Sequence, residues 1–492
     1  MRRAIFIASL VAVLLGAVTA LAAVLPQQHG RVDLLTQADG QWEGPGEAQG
    51  GSATGESVAG LGDIFHDGLS AMAIGAPEAD PGNRQSAGSV YIVVGQTGRS
   101  RVDLTALIGR GYRIDGANAG DELGFSLAPL TLPNRDPGLA VGAPYANPDG
   151  RSSAGAVYIV DLRKLRSNID LSITPLSHAI VGVITGPEAC AQSGYALAAV
   201  PQAGGKGDNL LIGSPGADPH GCPADTAAGP VDGNTGAAYL VPGGDLEKRI
   251  DLAAPPAGVV GFEGSAPGDR AGTAVAGVGP RTYAIGAPGA SPDGRDAAGE
   301  VYLAGEVTAT IDGSDPGDAF GSALATINGF QAGAGEQLVV GAPGVLNASG
   351  AVYLLAVHGA PRTEVLAGAA PGDEAGYSLA AAGDVNGEGR PALIVGAPFT
   401  NALGRLDNGA AYVIYGGSGS VALEHLGSRG YVIYGARDSD EAGTAVTGIA
   451  DENGEGHPGV LIGAPFAQNT FGSTPTVGGA VYAVWGFGSR RR

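Results

Sequence analysis

Short apolar runs that end in glycine recur along the whole chain. One example is Leu393-Ile394-Val395, which is followed by Gly396-Ala397-Pro398 and then by a second apolar run at 409–414. The first run suits a strand that is buried on both faces, and the glycine permits close approach of another backbone. The proline ends the strand because it has no amide donor. The second run, rich in β-branched and aromatic residues, predicts the next strand.

This Gly-Ala-Pro motif recurs seven times, with serine in place of alanine in one copy. Its first residues are Gly75, Gly142, Gly213, Gly286, Gly341, Gly396 and Gly463. A segment of small residues such as 320–325 lies upstream of each motif, and a further short strand such as 309–313 also recurs. Four short antiparallel strands per repeat, arranged radially, predict an all-β fold, namely a seven-bladed β-propeller with four-stranded blades.

Together the motifs resemble the FG-GAP repeats of the seven-bladed propeller at the head of integrin α subunits. The literal Phe-Gly occurs once, at Phe320-Gly321, and the corresponding pairs are Thr54-Gly55, Leu123-Gly124, Ser193-Gly194, Ala271-Gly272, Ala375-Gly376 and Ala442-Gly443. The resemblance covers residues 31–488. It implies a binding or adhesion module for an extracellular protein or carbohydrate ligand.

The N-terminus has the pattern of an export signal. Met1-Arg2-Arg3 precedes an apolar run from Ala4 to Leu25, and 20–22 offers a small-x-small cleavage site. We expect residues 1–23 to be a signal peptide and the mature chain to be secreted or held in the cell envelope. An uncleaved membrane anchor is the alternative, because a run of this length also suffices to span a bilayer.

The composition agrees with an exported all-β protein. The chain has 87 Gly and 32 Pro in 492 residues, yet 44% of its residues are hydrophobic, which argues against disorder. Its formal charge of −21 disfavours nucleic acids and anionic membrane surfaces as partners. The same charge suits cations or basic ligands, and we expect no membrane insertion of the mature chain.

A second phrase recurs between the repeats. It is Arg101-Val102-Asp103-Leu104 in one copy, and the others are 168–171, 249–252 and, near the mature N-terminus, 31–34. The last repeat ends at Trp485 with no such segment after it. We therefore predict that residues 31–35 close the ring by pairing with the seventh blade, since an open blade would leave an unpaired sheet edge.

The two cysteines, Cys190 and Cys222, both lie in the third repeat. One precedes the inner strand and the other follows the Gly-Ser-Pro motif, and both places open on the same face of a propeller blade. A disulfide is the preferred interpretation, and two free thiols are the alternative. A zinc site is disfavoured because the Cys-x-x-Cys spacing is absent.

The resemblance to integrin propellers also implies calcium sites in acidic loops between the first two strands of a blade. In repeat six the oxygens would come from Asp384, Asn386 and Glu388 and from the carbonyl of Arg390; in repeat seven they would come from Asp451, Asn453, Glu455 and the carbonyl of His457. Calcium prefers six to eight oxygen ligands. The ninth position, usually a carboxylate, is Ala392 or Gly459, so we expect weak binding. Repeat one retains Asp63 and Asp67 and would be weaker still. Acidic hairpin turns without an ion are the alternative.

A second acidic set recurs just before the inner strand of five repeats. Its members are Asp121, Asp269, Asp318, Asp373 and Asp440. These residues are candidates for a ligand-binding face at the end of the propeller opposite to the calcium-like loops. The alternative is structural, because Gly-Asp turns commonly bind their own backbone amides.

Enzyme chemistry finds little support in the sequence. The seven histidines are scattered without metal-ligand spacing, and neither a nucleophile elbow nor a phosphate-binding loop is recognisable. The sequence therefore favours a binding module over an enzyme. A hydrolase of the phospholipase or glycosidase type with carboxylates at the propeller face, or a purely structural scaffold, stays open as an alternative.

Overall fold

The computed structural model describes residues 30–46, 51–95, 100–107, 109–202, 204, 207–218, 234–357, 363–417, 419, 421–450, 458–471 and 476–486. Within these residues the chain forms seven small antiparallel sheets in a ring, which confirms the seven-bladed β-propeller. Each blade has an inner, a second, a third and an outer strand.

The strands follow one another from the axis outwards in every blade. Blade one contains Ser57–Gly62, Ala71–Ala76, Ser89–Val93 and Gly111–Asp115; blade two Leu127–Thr131, Pro137–Ala143, Ala156–Asp161 and Ile180–Thr185; blade three Ala196–Pro201, Asp208–Ser214, Ala237–Val241 and Val260–Glu263; blade four Ala274–Gly277, Thr282–Ala287, Glu300–Gly305 and Ala309–Asp312; blade five Ala323–Asn328, Glu336–Ala342, Ala351–Ala356 and Thr363–Ala367; blade six Ser378–Ala382, Ala392–Ala397, Ala410–Tyr415 and Gly430–Tyr434; blade seven Ala445–Ile449, Gly459–Ala464, Ala480–Trp485 and Gly40–Glu43.

Among the described residues, helical structure is confined to short turns. The two α-helical turns are Leu34–Gln37 and Val345–Ala348, and the 3₁₀ turns are Pro81–Asn83, Leu104–Ala106, Pro148–Gly150, Leu162–Lys164, Gly243–Asp245, Pro292–Gly294, Leu423–His425 and Gly427–Arg429. A small hairpin, Gln468–Asn469 with Thr476–Val477, follows the second strand of blade seven. Among the described residues, no helix is long and apolar enough to cross a membrane.

The recurrent glycines explain why the blades stack as a ring. Within blade one, the amide of Gly55 donates to the carbonyl of Gly75 at 2.9 Å. A Cβ added to Gly75 would lie 2.0 Å from the carbonyl oxygen of Gly124 in blade two. The same contact joins Gly463 of blade seven to Gly55 of blade one, at 1.9 Å. Only glycine permits this approach, so the motif marks the contact between adjacent blades.

The apolar core lies between neighbouring blades. The second strands Ala71–Ala76, Thr282–Ala287, Ala392–Ala397 and Gly459–Ala464 are buried at every residue. Their side chains alternate between two interblade layers, as expected for a strand with apolar residues on both faces. For example, Ile394 packs in the layer between blades six and seven, whereas Val395 packs in the layer between blades five and six.

The predicted role of residues 31–35 in blade seven is wrong. Gly30–Asp33 instead pairs in parallel with Gly430–Tyr434, the outer strand of blade six. The fourth strand of blade seven is Gly40–Glu43, which pairs antiparallel with Ala480–Trp485. The error arose because the strand pattern of the recurrent phrase does not specify which sheet edge it joins.

All four copies of the recurrent phrase serve the same purpose. Ser100–Asp103 pairs in parallel with Gly40–Glu43 of blade seven, Ile169–Asp170 with blade one, and Arg249–Asp251 with blade two. Together with Gly30–Asp33 they form the fifth strands that we call straps. Three of the straps come from the connection between the third and outer strands of one blade, and Gly30–Asp33 directly precedes the outer strand of blade seven. Each strap covers the outer edge of the preceding blade. Blades six, seven, one and two are therefore five-stranded.

Candidate functional site

The calcium-like loop of blade six is closed by its own first residue. One carboxylate oxygen of Asp384 accepts the amide of Glu388 at 3.0 Å and the other accepts the amide of Gly389 at 2.7 Å. The side chain of Asn386 also accepts the amide of Glu388, at 3.2 Å. Asp384 and Asn386 are half-buried, whereas Glu388 and Arg390 are exposed. The loop thus gathers oxygens at the end of the blade away from the Gly-Ala-Pro turns.

The equivalent loop of blade one has the same geometry. Asp63 accepts the amides of Asp67 and Gly68 at 3.0 and 3.1 Å, as Asp384 does in blade six. The loop of blade seven, with Asp451, Asn453, Glu455 and His457, lies outside the described residues. In the part of the chain that is described, no group of three or more His, Cys, Asp or Glu side chains is arranged to hold a metal ion. Calcium binding stays a prediction.

The second acidic set is buried in turns at the Gly-Ala-Pro end of the propeller. The five carboxylates are between 0% and 6% exposed. Each accepts a backbone amide from the start of its own turn, for example Asp269 from Ala266 at 2.7 Å and Asp440 from Arg437 at 2.8 Å. Burial raises the pKa of Asp440 to about 6, although these amides and nearby arginines lower it. Such carboxylates stabilise local turns, and their role as ligand contacts stays a prediction.

Cys190 occupies a turn at the same end, with φ near 64°. Its amide donates to the carbonyl of Ser152 in blade two at 2.8 Å. Cys222 lies outside the described residues, so the predicted disulfide stays a prediction.

A different set of residues meets around the propeller axis at the Gly-Ala-Pro end. We call it the axial mouth. It consists of residues next to the inner-strand glycines and residues that follow the Gly-Ala-Pro motifs. The acidic members are Glu56, Glu78, Glu122, Glu374 and Glu441, and the aromatic members are Phe125, Tyr145, Tyr195, Tyr377 and Phe399.

The glutamates of the axial mouth raise one another's pKa values across blades. Burial, together with the charges of Glu78 and Glu441, raises the pKa of Glu56 to about 7. Burial, followed by the charges of Glu78 and Glu56, raises the pKa of Glu122 to about 7. Burial raises the pKa of Glu374 as well. Because like charges disfavour one another's ionised forms, the mouth carries protons near neutral pH.

Aromatic rings pack beside these carboxylates. Phe125 lies 4.8 Å from Tyr195 and 6.2 Å from Tyr145 between ring centroids, and Tyr377 lies 6.2 Å from Phe399. Burial and then the charge of Glu56 raise the pKa of Tyr377 to about 12. An aromatic and acidic concavity of this kind suits a cationic group, since both carboxylates and ring faces attract positive charge.

Local backbone geometry presents these residues. Glu122, Arg270, Glu374 and Glu441 occupy equivalent positions, each two residues before the inner-strand glycine, and all have φ between 52° and 54°. This left-handed conformation costs about 1 kcal/mol or more for a residue other than glycine. In each of these blades, the residue with this left-handed conformation lies between the buried aspartate and the inner-strand glycine. Arg270 introduces a positive charge that acts on Tyr145 and Tyr195.

Sequence analysis missed the glutamates of the mouth. It singled out the aspartate immediately before three of these five glutamates, for instance Asp440 before Glu441, because aspartate recurs at this position more regularly than glutamate does. The available signal was position: the residues that flank the inner-strand glycine and follow Gly-Ala-Pro converge in any propeller built from these repeats.

The fold and the mouth together define a seven-bladed propeller with FG-GAP-type repeats and an acidic, aromatic axial end. Comparison with curated proteins agrees with this class. The chain is 35% identical to human integrin alpha-7 over 170 residues, which is 32% of the chain and 14% of that protein. It is 36% identical to Drosophila melanogaster integrin alpha-PS3 over 133 residues, which is 27% of the chain and 11% of that protein.

The chain is also similar to bovine phosphatidylinositol-glycan-specific phospholipase D, at 29% identity over 213 residues, 38% of the chain and 25% of that protein. The matched stretches thus cover at most a quarter of each of these relatives. Several integrin α subunits are weak homologues of the chain, and its fold is consistent with an integrin-like FG-GAP propeller.

No family model matches the chain. Among solved structures, the crystal structure of BBS1N in complex with ARL6DN, soaked with lead, matches this chain with a TM-score of 0.43 and 14% identity. The match covers 90% of this chain and 96% of the chain in that structure. A likeness this distant carries no argument about function.

Proposed function

We propose that the protein is an exported binding module that uses the axial mouth to bind a cationic group of an extracellular protein. The observation that carries the proposal is the convergence of five glutamates from several blades, two of them with a pKa near 7. The similarity to integrin α subunits supports an adhesion or binding role in general. The charge of −21 favours a basic partner over an acidic one.

The mouth offers two kinds of attraction to an arginine or lysine side chain. Deprotonated glutamates form charge-assisted hydrogen bonds, and ring faces such as that of Tyr377 contribute a cation–π contact. Tyr377 is 41% exposed, so this ring is accessible from solvent. A bound cation lowers the pKa values of Glu56 and Glu122, so binding releases protons near neutral pH.

Array capture tests this proposal. Purified protein would be incubated with extracellular-matrix, peptide and glycan arrays, beside the double variant Glu56→Gln/Glu122→Gln. Glu424→Gln is the control, since this exposed glutamate lies on the outer side of blade six. We expect basic protein or peptide ligands, lost in the double variant and retained in the control. Selective capture of neutral glycans would show that the ligand is a carbohydrate and not a protein. Equal capture by the unchanged protein, the double variant and the control would refute the role of the mouth.

A hydrolase is the second candidate function. Two carboxyl groups with a pKa of about 7 suit general acid–base catalysis at neutral pH, and the similarity to a phospholipase D adds a second reason to test it. Release of product from chromogenic glycosides and phosphodiesters would support it. The activity must then vanish in Glu56→Gln or Glu122→Gln; turnover that survives both changes would assign it to a contaminant.

Calcium would act in this account as a stabiliser of the blade ends. The loop of blade six supplies Asp384, Asn386 and an exposed Glu388, whereas Ala392 is a buried strand residue without a side-chain oxygen. This donor set fits a weak hard-cation site that keeps several waters. Bound calcium would neutralise the carboxylates gathered in the loop.

A further inference from the structure

The outer edge of blade four has the features of a strap-binding site, and no strap covers it in the part of the chain that the structure describes. The strand order of this sheet ends at Ala309–Asp312, and no described segment pairs with its outer side. Three of its four residues are exposed. By contrast, the strap-covered outer strand of blade seven, Gly40–Glu43, has three of its four residues buried. The connection in blade five that would supply this strap, 357–362, is far shorter than the connection 162–179, which carries a strap.

Three of the four strapped blades hold the strap aspartate with an arginine from their own Gly-Ala-Pro loop. Arg84 of blade one binds Asp170 at 2.8 Å, and Arg151 of blade two binds Asp251 at 2.9 Å. In blade six, both terminal nitrogens of Arg405 bind Asp33, at 2.8 and 2.9 Å. The strap aspartate lies opposite the last residue of the outer strand in each case.

Blade four retains this arginine without the strap aspartate. Arg295 follows the turn Pro292–Gly294, just as Arg151 follows Pro148–Gly150. Its contacts are long: 3.3 Å to Asp293 and 3.5 Å to Asp312. Both of these carboxylates are more than 40% exposed, so neither holds the guanidinium as Asp33 holds Arg405.

The last residue of the outer strand supplies a complementary charge. In blade seven that residue is Glu43, whose carboxylate accepts the Nε of the strap residue Arg101 at 2.7 Å. Asp312 occupies the same position in blade four, directly before a glycine. In a segment with an arginine two residues before an aspartate, the arginine would therefore pair with Asp312 and the aspartate with Arg295.

Apolar strap residues complete the pattern. Val102 and Leu104 are each 2% exposed in their strap on blade seven, and Ile250 and Leu252 are each 3% exposed on blade two. In blade four, Val307 and Ile311, just before and within the outer strand, are partly buried against the core and offer an apolar surface.

We propose that the outer edge of blade four docks an extended segment of a partner protein with the pattern Arg-Val/Ile-Asp-Leu, bound as a parallel fifth strand. The chain's own four straps, three with this pattern and one with Asn168 in place of the arginine, are already paired with blades six, seven, one and two, so the occupant comes from another molecule. Backbone hydrogen bonds along a free edge supply affinity, and Arg295 and Asp312 supply specificity. This surface is separate from the axial mouth and stands independently of the proposed function.

A peptide titration tests the proposal. A fluorescent peptide with the sequence of residues 30–35, Gly-Arg-Val-Asp-Leu-Leu, is titrated with the intact protein and followed by anisotropy. We expect saturable binding, weakened about tenfold by asparagine in place of the peptide aspartate and by Arg295→Gln in the protein, because each change removes a charge-assisted hydrogen bond. Arg281→Gln, an exposed arginine of the same blade, is the matched control and leaves the affinity unchanged.

Three results would overturn the proposal. Absence of saturable binding is one. Binding that is insensitive to Arg295→Gln but reduced by Arg405→Gln is another, since the peptide would then replace the chain's own strap on blade six. A concentration-dependent dimer in sedimentation, lost in Arg295→Gln, would make a second copy of this chain the occupant. Thermal melts of each variant, matching the unchanged protein, show that a lost signal reports on binding.

Discussion

Replacing Trp42 with alanine should test how the ring is closed. Trp42 is fully buried in the outer strand of blade seven, between its register partners Val481 of the third strand and Val102 of the strap. Its Nε1 has no hydrogen-bond partner among the described residues, so the substitution removes packing alone. Truncation of a fully buried tryptophan typically costs about 3–5 kcal/mol of unfolding free energy.

The chain offers a convenient assay for this change. It contains two tryptophans, and the second, Trp485, lies at the end of the neighbouring strand of the same blade. In Trp42→Ala the remaining fluorescence therefore reports on blade seven, while far-UV circular dichroism reports on the whole ring. We expect both signals to move to lower denaturant by an amount equivalent to about 3–5 kcal/mol.

Leu35→Ala is the control for this experiment. Leu35 belongs to the helical turn after the first strap and is 47% exposed, so its truncation should cost no more than about 0.5 kcal/mol. Equal losses for Trp42→Ala and Leu35→Ala, or a loss below about 1 kcal/mol for Trp42→Ala, would refute closure of the ring by Gly40–Glu43.

Three further predictions concern the glycines, the strap and calcium. Gly341→Ala should lower the free energy of unfolding by about 3 kcal/mol or more, because the new Cβ would lie 2.1 Å from the carbonyl oxygen of Gly376. The control Gly335→Ala, with open space around it, should be near neutral. Equal melting temperatures of the two variants would contradict the interblade contact. Arg405→Gln should cost about 1–2 kcal/mol at pH 7. Burial raises the pKa of Asp33, but hydrogen bonds from Arg405 and the amide of Leu35 outweigh it and lower the pKa overall. The stabilisation by this ion pair is therefore fully present above the ordinary aspartate pKa and disappears as the pH falls through the lowered pKa of Asp33. If the melting temperatures of Arg405→Gln and the unchanged protein still differed at low pH, the ion pair would not be the cause of the difference. We expect calcium to bind with a dissociation constant of about 10⁻⁴–10⁻³ M, and at ten times this concentration it should add about 1.4 kcal/mol to the free energy of unfolding. The double variant Asp384→Ala/Asp451→Ala should lose this stabilisation. Identical melts in calcium and in chelator would show that these loops are turns without an ion.

The sequence predicted the ring because its strongest motif reports a steric requirement. A Cβ added to Gly396 would lie 2.0 Å from a carbonyl oxygen of the next blade. The requirement for glycine therefore recurs wherever this contact between blades recurs. The number of blades and the order of the strands within a blade could therefore be predicted from this motif.

The straps could not be assigned in the same way. Their alternating pattern identifies a strand but leaves its partner open, since Asp33 meets Arg405 only after the whole ring has formed. The recurrence of the phrase was correctly noticed, yet its parallel pairing with the preceding blade depends on tertiary structure.

The axial mouth lay beyond sequence analysis for a related reason. Glu56 and Glu441 are far apart in the sequence and act on each other only because blades one and seven adjoin. Their raised pKa values come from burial and convergence, and neither property is visible in a local pattern. The neighbouring aspartates were more conspicuous because they satisfy a local turn in almost every repeat.

Cation binding at Glu56 and Glu122 can be tested by measuring the protons that the protein releases on binding. A tetra-arginine peptide amide would be titrated into the protein by calorimetry at pH 7, in two buffers that differ in ionisation enthalpy. We expect net proton release, because the bound cation lowers the pKa values of Glu56 and Glu122 from about 7, and we expect weaker binding at pH 6. Binding without proton release, or release that persists unchanged in Glu56→Gln/Glu122→Gln, would contradict it.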